Sequence, residues 1–238
     1  MKNAPISPTR LLRDREKFWS DLRDRALSWG TVLQFTGFIV LACGIYGAVL
    51  AGWRSPRLAV CGAIKLPLLF LATVTLVSLF NWMLASLMGA GLEFKTTIFI
   101  VCAAMTITSW ILLSLAPVAL FFVVSGVPAS GSEDQLHYAH NCILVTHITI
   151  LAIAGVAGYS ALFRGLKRLV KPHCPAGLLF LGWLATSAFV GCQMAWILRP
   201  FVGSPFYPVA FMRPDCLKRN FYEFVVGEVL PYIVKGEN

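Results

Sequence analysis

The chain has 238 residues, of which 58% are hydrophobic and 13% charged, with a formal net charge of +9. A soluble domain carries about 25% charged residues, and barrel strands alternate in polarity over about ten residues. The long apolar blocks seen here exclude both and predict an all-α fold, a polytopic transmembrane helix bundle of about five spans.

The mean hydropathy of +0.74 fits that class. The positive charge fits the bias of loops retained on the cytoplasmic side and attraction to anionic lipid. No basic platform interleaved with aromatics is present, so no nucleic-acid partner is expected. The seven cysteines show no Cys-x-x-Cys spacing and several lie inside apolar runs. They read as small buried hydrophobes or reduced thiols rather than a disulfide framework or a zinc site.

Residues 1–30 are polar and form an amphipathic, basic N-terminal segment. Leu11, Phe18, Leu22, Ala26 and Trp29 recur on one side of a helix, while Arg13, Glu16, Lys17, Asp21, Asp24 and Arg25 occupy much of the rest. Ser7-Pro8 supplies a cap and a first-turn proline. Such a helix lies along the membrane, docks on a partner, or rests on its own protein. The first apolar run begins only near residue 31 and is too long for a signal peptide, so it is expected to stay as the first span.

Residues 31–198 are expected to form the bundle. The first apolar segment, 31–51, suits a hydrocarbon core of about 30 Å. Its Gly37, Gly44 and Gly47 invite close approach by another helix. Residues 52–65 read as a connection with an apolar patch at 58–64, and a re-entrant segment there would add a sixth span. The second segment, 66–92, holds Pro67 in its first turn and Asn81 as its polar residue. A short charged link at 93–95 leads to the third segment, 96–124, which has room to kink at Pro117. An acidic loop at 126–135 precedes the fourth segment, 138–162. His137, His140 and His147 lie near its start, the last two on one face. Two histidines on one helix face are poorly placed for haem, so a polar entrance or bonds within the bundle are favoured. Arg164, Lys167, Arg168 and Lys171 form a basic link to the fifth segment, 176–198, which carries Gln193 near its end.

Arg199-Pro200 stops that last segment, since proline lacks an N–H and restricts the residue before it. Trp196 and Arg199 are one turn apart, where a ring and a snorkelling guanidinium suit a membrane–water boundary. Arg199 then holds an anionic lipid head or the tail, or simply ends the helix. Residues 199–238 form an aromatic and proline-rich tail, with Asp215 expected to cap a final short helix reaching about Leu230.

Counting Lys and Arg predicts the orientation. One side holds seven in the first 30 residues, Lys95, and four in 164–175, twelve in all; the other holds three in 52–65 and five in the tail, eight in all. The N-terminus is therefore expected in the cytoplasm, with the chain a multi-pass protein of the inner (plasma) membrane.

No metal-protease, nucleophile-elbow, phosphate-loop or dinucleotide motif occurs, and no acidic residue sits mid-span. Catalytic, cofactor-binding and metal residues are thus none, and no cofactor is expected. The candidate residues are Trp196, Arg199 and Pro200 for lipid, partner or structure, and Asn81, Pro117, His140, His147 and Gln193 as polar or irregular sites within the membrane.

The pieces Lys65-Leu-Pro-Leu-Leu-Phe-Leu-Ala-Thr73, Leu115-Ala-Pro-Val118, Trp196-Ile-Leu-Arg-Pro-Phe-Val-Gly-Ser-Pro205 and Arg219-Asn-Phe-Tyr222 resemble a group of uncharacterised bacterial multi-span proteins. Some of these carry a Yip1-like label and some an actin-binding WH2 label. The resemblance covers about residues 60–225. It implies an integral membrane fold and hands over no catalytic residues. The expected function is a non-enzymatic membrane component that anchors or scaffolds a partner or assembly, with a protein partner or homo-oligomer implied. The alternative is an oligomeric channel or pore, such as the membrane effector of a bacterial stress or antiviral system, using the segment-one glycines, Asn81, Pro117 and His147.

Overall fold

A computed structural model of the chain describes residues 7–13, 17–19, 22, 28–126, 132–204, 208–214 and 216–231. Glu16, Asp21, Asp24, Arg25, Ala26 and the expected cap Asp215 lie outside them. The order of elements is α1 (Pro8–Arg13), α2 (Trp29–Gly52), α3 (Pro56–Leu87), α4 (Phe94–Gly126), α5 (Glu133–Leu169), α6 (Ala176–Ile197) and α7 (Phe221–Phe224). The last runs into a π-helical turn at Val225–Val229. No strand occurs among the described residues, and the five helices α2–α6 are long and apolar enough to cross a membrane.

Each span buries one stripe and shows lipid the rest. In α2, Val32, Phe35, Ile39, Cys43, Tyr46 and Leu50 are buried, while Leu33 stays 72% exposed and Leu41 62% exposed. A helix apolar on every face is at home in hydrocarbon, where its outer side chains need no protein cover. Helix α6 is the extreme case, burying only Leu179, Trp183, Ser187 and Val190. Helix α4 is the opposite. Phe99 to Ser109 lie almost wholly inside, because α4 packs against α2, α3 and α5 together. Its later half emerges, with Val118, Leu120, Phe121, Phe122 and Val124 exposed.

The largest helix pairing joins α2 to α3. It turns on small residues: a Cβ on Gly47 would run into the carbonyl of Gly62, and one on Gly62 into Gly47 and Ala51. Backbones approach this closely only where side chains are missing. Gly44 continues the seam: a Cβ added there would lie 3.4 Å from the Ala63 carbonyl oxygen. Gly37, by contrast, has open space beside it. The expected close approach therefore belongs to Gly44 and Gly47.

Several boundaries move relative to expectation. Ser55 caps α3 by accepting from Leu58 N at 3.1 Å, and Pro56 occupies its first turn. Residues 58–64 are thus the opening turns of α3 and not a connection or a re-entrant piece. Arg57 and Lys65 interrupt the hydropathy of this stretch without interrupting the helix. At its other end α3 stops at Leu87, short of the expected 92, and Gly89 and Gly91 turn the chain with φ of +68° and +69°. Helix α5 starts early because Ser132 and Gln135 form a reciprocal capping box. Its 37 residues reach roughly 55 Å at 1.5 Å per residue, well beyond the bilayer core. Helix α6 ends within a residue of expectation. The final helix is capped by Asn220, which accepts from Glu223 N at 2.8 Å, later than the expected Asp215.

Five passes put the two ends of the chain on opposite faces. On the N-terminal side, Leu11, Phe18, Trp19 and Leu22 are all buried, with Phe18 6.0 Å from Phe99 and Phe35 5.0 Å from Phe99 between ring centroids. A Cβ on Gly165 of α5 would meet the Trp19 ring at 2.8 Å. Of the expected apolar side, Leu11, Phe18 and Leu22 therefore rest on the bundle, with Trp19, as a plug, whereas Trp29 is 58% exposed. Its burial follows the ordinary hydrophobic gain, about 1.5–3 kcal/mol for a large side chain.

Candidate functional site

The opposite face is built around the exit of α6. Gln193, in the last turns of α6, accepts the backbone N–H of Phe221 at 3.0 Å through its Oε1. Trp196 donates its indole N–H to the Arg219 carbonyl at 2.7 Å. Tyr222 donates to the Phe189 carbonyl at 2.7 Å, and the two rings stack 4.7 Å apart. These bonds clamp α7 along the end of α6. Desolvation, with the nearby Cys192 thiol, pushes the Tyr222 phenol above its ordinary value.

Arg199 lies over Trp196, its guanidinium carbon 3.5 Å from the ring centroid, within cation–π reach. Beyond it the chain runs back over α2 and α3 as a strap. Lys65 Nζ donates to the Pro200 carbonyl at 2.8 Å, and Trp53 Nε1 donates to the Val202 carbonyl at 2.7 Å. Phe201 and Val202 pack on the buried cluster containing Ile39, Tyr46, Leu50, Leu66 and Phe70. Gly203 closes the strap with φ of +73° against Leu58, a conformation that favours glycine.

Lys65 is the residue that composition undervalued. It is 0% exposed, bonded to Pro200, with its ammonium 5.1 Å from the Phe211 ring centroid. A buried ammonium is costly unless carbonyl dipoles and ring faces replace its water. A signal was present, since Lys65 is the one charge between Leu58 and Leu92. Trp53 and Arg213 were missed for a different reason: their roles depend on how the tail folds back.

Two adjoining cavities open here. One, of about 640 Å³, is lined by Trp196, Arg199, Arg213, Lys218, Arg219 and Glu228 among others. The other, of about 280 Å³, holds Arg54 and shares Pro200 and Arg213 with the first. Glu228 is paired with Arg219.

The remaining candidates lie elsewhere. His147 is buried and its Nδ1 is 2.9 Å from the Tyr46 hydroxyl, joining α5 to α2. His140 packs on Trp53 at 5.4 Å between centroids. The two histidines are not brought together, and no group of three or more His, Cys, Asp or Glu that could hold a metal occurs among the described residues. All seven cysteines are unpaired. Asn81 is fully buried, and its backbone carbonyl accepts Trp183 Nε1 at 3.0 Å, which ties α3 to α6. Pro117 is exposed on the outer face of α4, which runs through it unbroken. A third cavity, of about 210 Å³, lies among α3, α4, α5 and α6, lined mainly by apolar residues with Thr73, Thr108, Tyr159 and Ser187. Comparison with known proteins matches the chain to no family model, no curated protein and no solved structure.

Proposed function

We propose that the protein is a non-enzymatic component of the bacterial inner (plasma) membrane that anchors a protein partner, or a second copy of itself, through its tail-side end. The observation that carries this is the contrast in apolar surface. The stripe Leu11, Phe18, Trp19 and Leu22 is spent on the protein's own core. On the tail, Leu217 is 79% exposed and Val226 65% exposed, beside a group of arginines and a lysine. Exposed apolar side chains rimmed by charge are the composition of a contact surface.

The residues a pore would use support the anchoring role instead. Gly44 and Gly47 form the α2–α3 seam, His147 bonds Tyr46, and the Asn81 backbone carbonyl accepts the Trp183 indole of α6. With the N-terminus in the cytoplasm, as the basic residues favour, the anchoring end faces away from the cytoplasm.

Photo-crosslinkers placed at Leu217 and Val226 in native membranes test this. Discrete adducts with one protein, or with another copy of this chain, are expected at both positions. Adducts with lipid alone at both would overturn it.

A further inference from the structure

We propose that the cavity among α3, α4, α5 and α6 is a binding site for a single acyl chain of a bilayer lipid. Helix α6 packs on α3 and α5 and leaves α4 across a gap. That gap is the cavity of about 210 Å³. Its floor is the α4 stretch holding Val101, Ala104 and Thr108, which are 3%, 6% and 8% exposed. Gly155 of α5 and Gly191 of α6 stand at its sides, each with open space where a Cβ would lie. Both are partly exposed, so the cavity opens between α5 and α6 toward the outside of the bundle.

Chemistry and length identify the occupant. Thr108 and Ser187 donate to the Ala104 and Trp183 carbonyls at 3.3 Å and 2.7 Å, and the Tyr159 hydroxyl bonds to Ser187. The rest of the lining is mainly apolar. A buried water needs two to four polar partners, whereas an apolar cavity of about 150 Å³ stays dry and takes a hydrocarbon guest. On α5 the lining runs from Leu151 to Leu162, about 16 Å at 1.5 Å per residue. That is about half of the 30 Å hydrocarbon core, the depth spanned by the tails of one leaflet. Beside the mouth, Ile153 and Val156 of α5 and Phe189 of α6 are exposed, so the medium at the opening is hydrocarbon. A chain that enters gains dispersion contacts with walls that otherwise have no partner atoms, rather than escape from water.

The test reconstitutes the full-length chain in liposomes holding a phosphatidylglycerol with a diazirine midway along one tail. After illumination, the labelled positions are mapped by mass spectrometry of the digested protein. Label is expected on the buried floor, residues 101–108, as well as on the exposed Leu76, Leu79 and Phe80 of α3, which any surrounding lipid reaches. Gly191→Phe and Gly155→Phe each bring a ring to the cavity from a different helix. In either variant the label on 101–108 should fall about tenfold, equivalent to losing about ten close atom pairs. The label on Leu76, Leu79 and Phe80 should persist, which shows that the variant is folded in the membrane. Gly177→Phe, on α6 with open space beside it but outside the cavity, should change neither. Absence of label from 101–108 in the unaltered protein overturns the proposal. Undiminished label there in both the Gly191→Phe and Gly155→Phe proteins overturns it equally.

Discussion

The two ends of the bundle are closed by different physics. At the N-terminal end, Phe18 and Trp19 fill a space between α2, α4 and α5, and rings meet rings. At the tail end, Trp53, Lys65 and Trp196 donate to the carbonyls of Val202, Pro200 and Arg219. The first closure buries Leu11, Phe18, Trp19 and Leu22. The second satisfies backbone groups and leaves cations and apolar side chains facing outward. A plug made by packing is a stability element, whereas a strap made by polar bonds frames a surface that something else can use.

This contrast can be broken most severely at the helix seam and the plug. Gly47→Leu drives a side chain into the Gly62 carbonyl and should prevent assembly of the bundle, read as loss of a monodisperse peak from detergent. Trp19→Ala empties a fully buried site and should cost about 3–5 kcal/mol, seen as a large fall in Tm. The tail-side strap should survive it, so protection of residues 199–204 from proteolysis below the new Tm should persist.

Intermediate effects are expected at the strap. Lys65→Met removes the charged donor to Pro200 and should cost about 1.5–3 kcal/mol. Limited proteolysis should then cut the tail near residues 199–214 while the N-terminal plug stays protected. Equal exposure of both ends would blur the distinction drawn here. Tyr46→Phe removes the bond to His147 and should cost about 1 kcal/mol. The smallest effect belongs to Pro117→Ala, on the exposed face of α4, which should change Tm little or raise it slightly.

The spans were readable because hydrocarbon demands unbroken apolar helices, and α6 was placed almost to the residue. Elements whose boundaries rest on capping were harder. The opening turns of α3 carry Arg57 and the early turns of α5 carry Glu133 and Asp134, so hydropathy alone assigns them to loops. Trp196, Arg199 and Pro200 were singled out by their position at a helix exit and Gln193 for its polarity within a span, and the structure gathers all four around the tail. Asn81, His140, His147 and Pro117 were chosen for polarity or irregularity within a span, and they are scattered through the packing. The isolated charge of Lys65 is visible in the sequence, but its partner is a carbonyl more than a hundred residues away. No local pattern announces such a pairing.

The measurement that bears most directly on the opposition of the two ends is sidedness of labelling. In a variant lacking the native cysteines, Lys171→Cys lies by the turn next to Gly91, and Lys218→Cys lies in the tail-side cavity. An impermeant thiol reagent applied to sealed, oriented vesicles should label one of these from outside and the other only after the membrane is opened. Labelling of both from the same side would contradict a five-pass bundle with its plug and its binding surface on opposite faces.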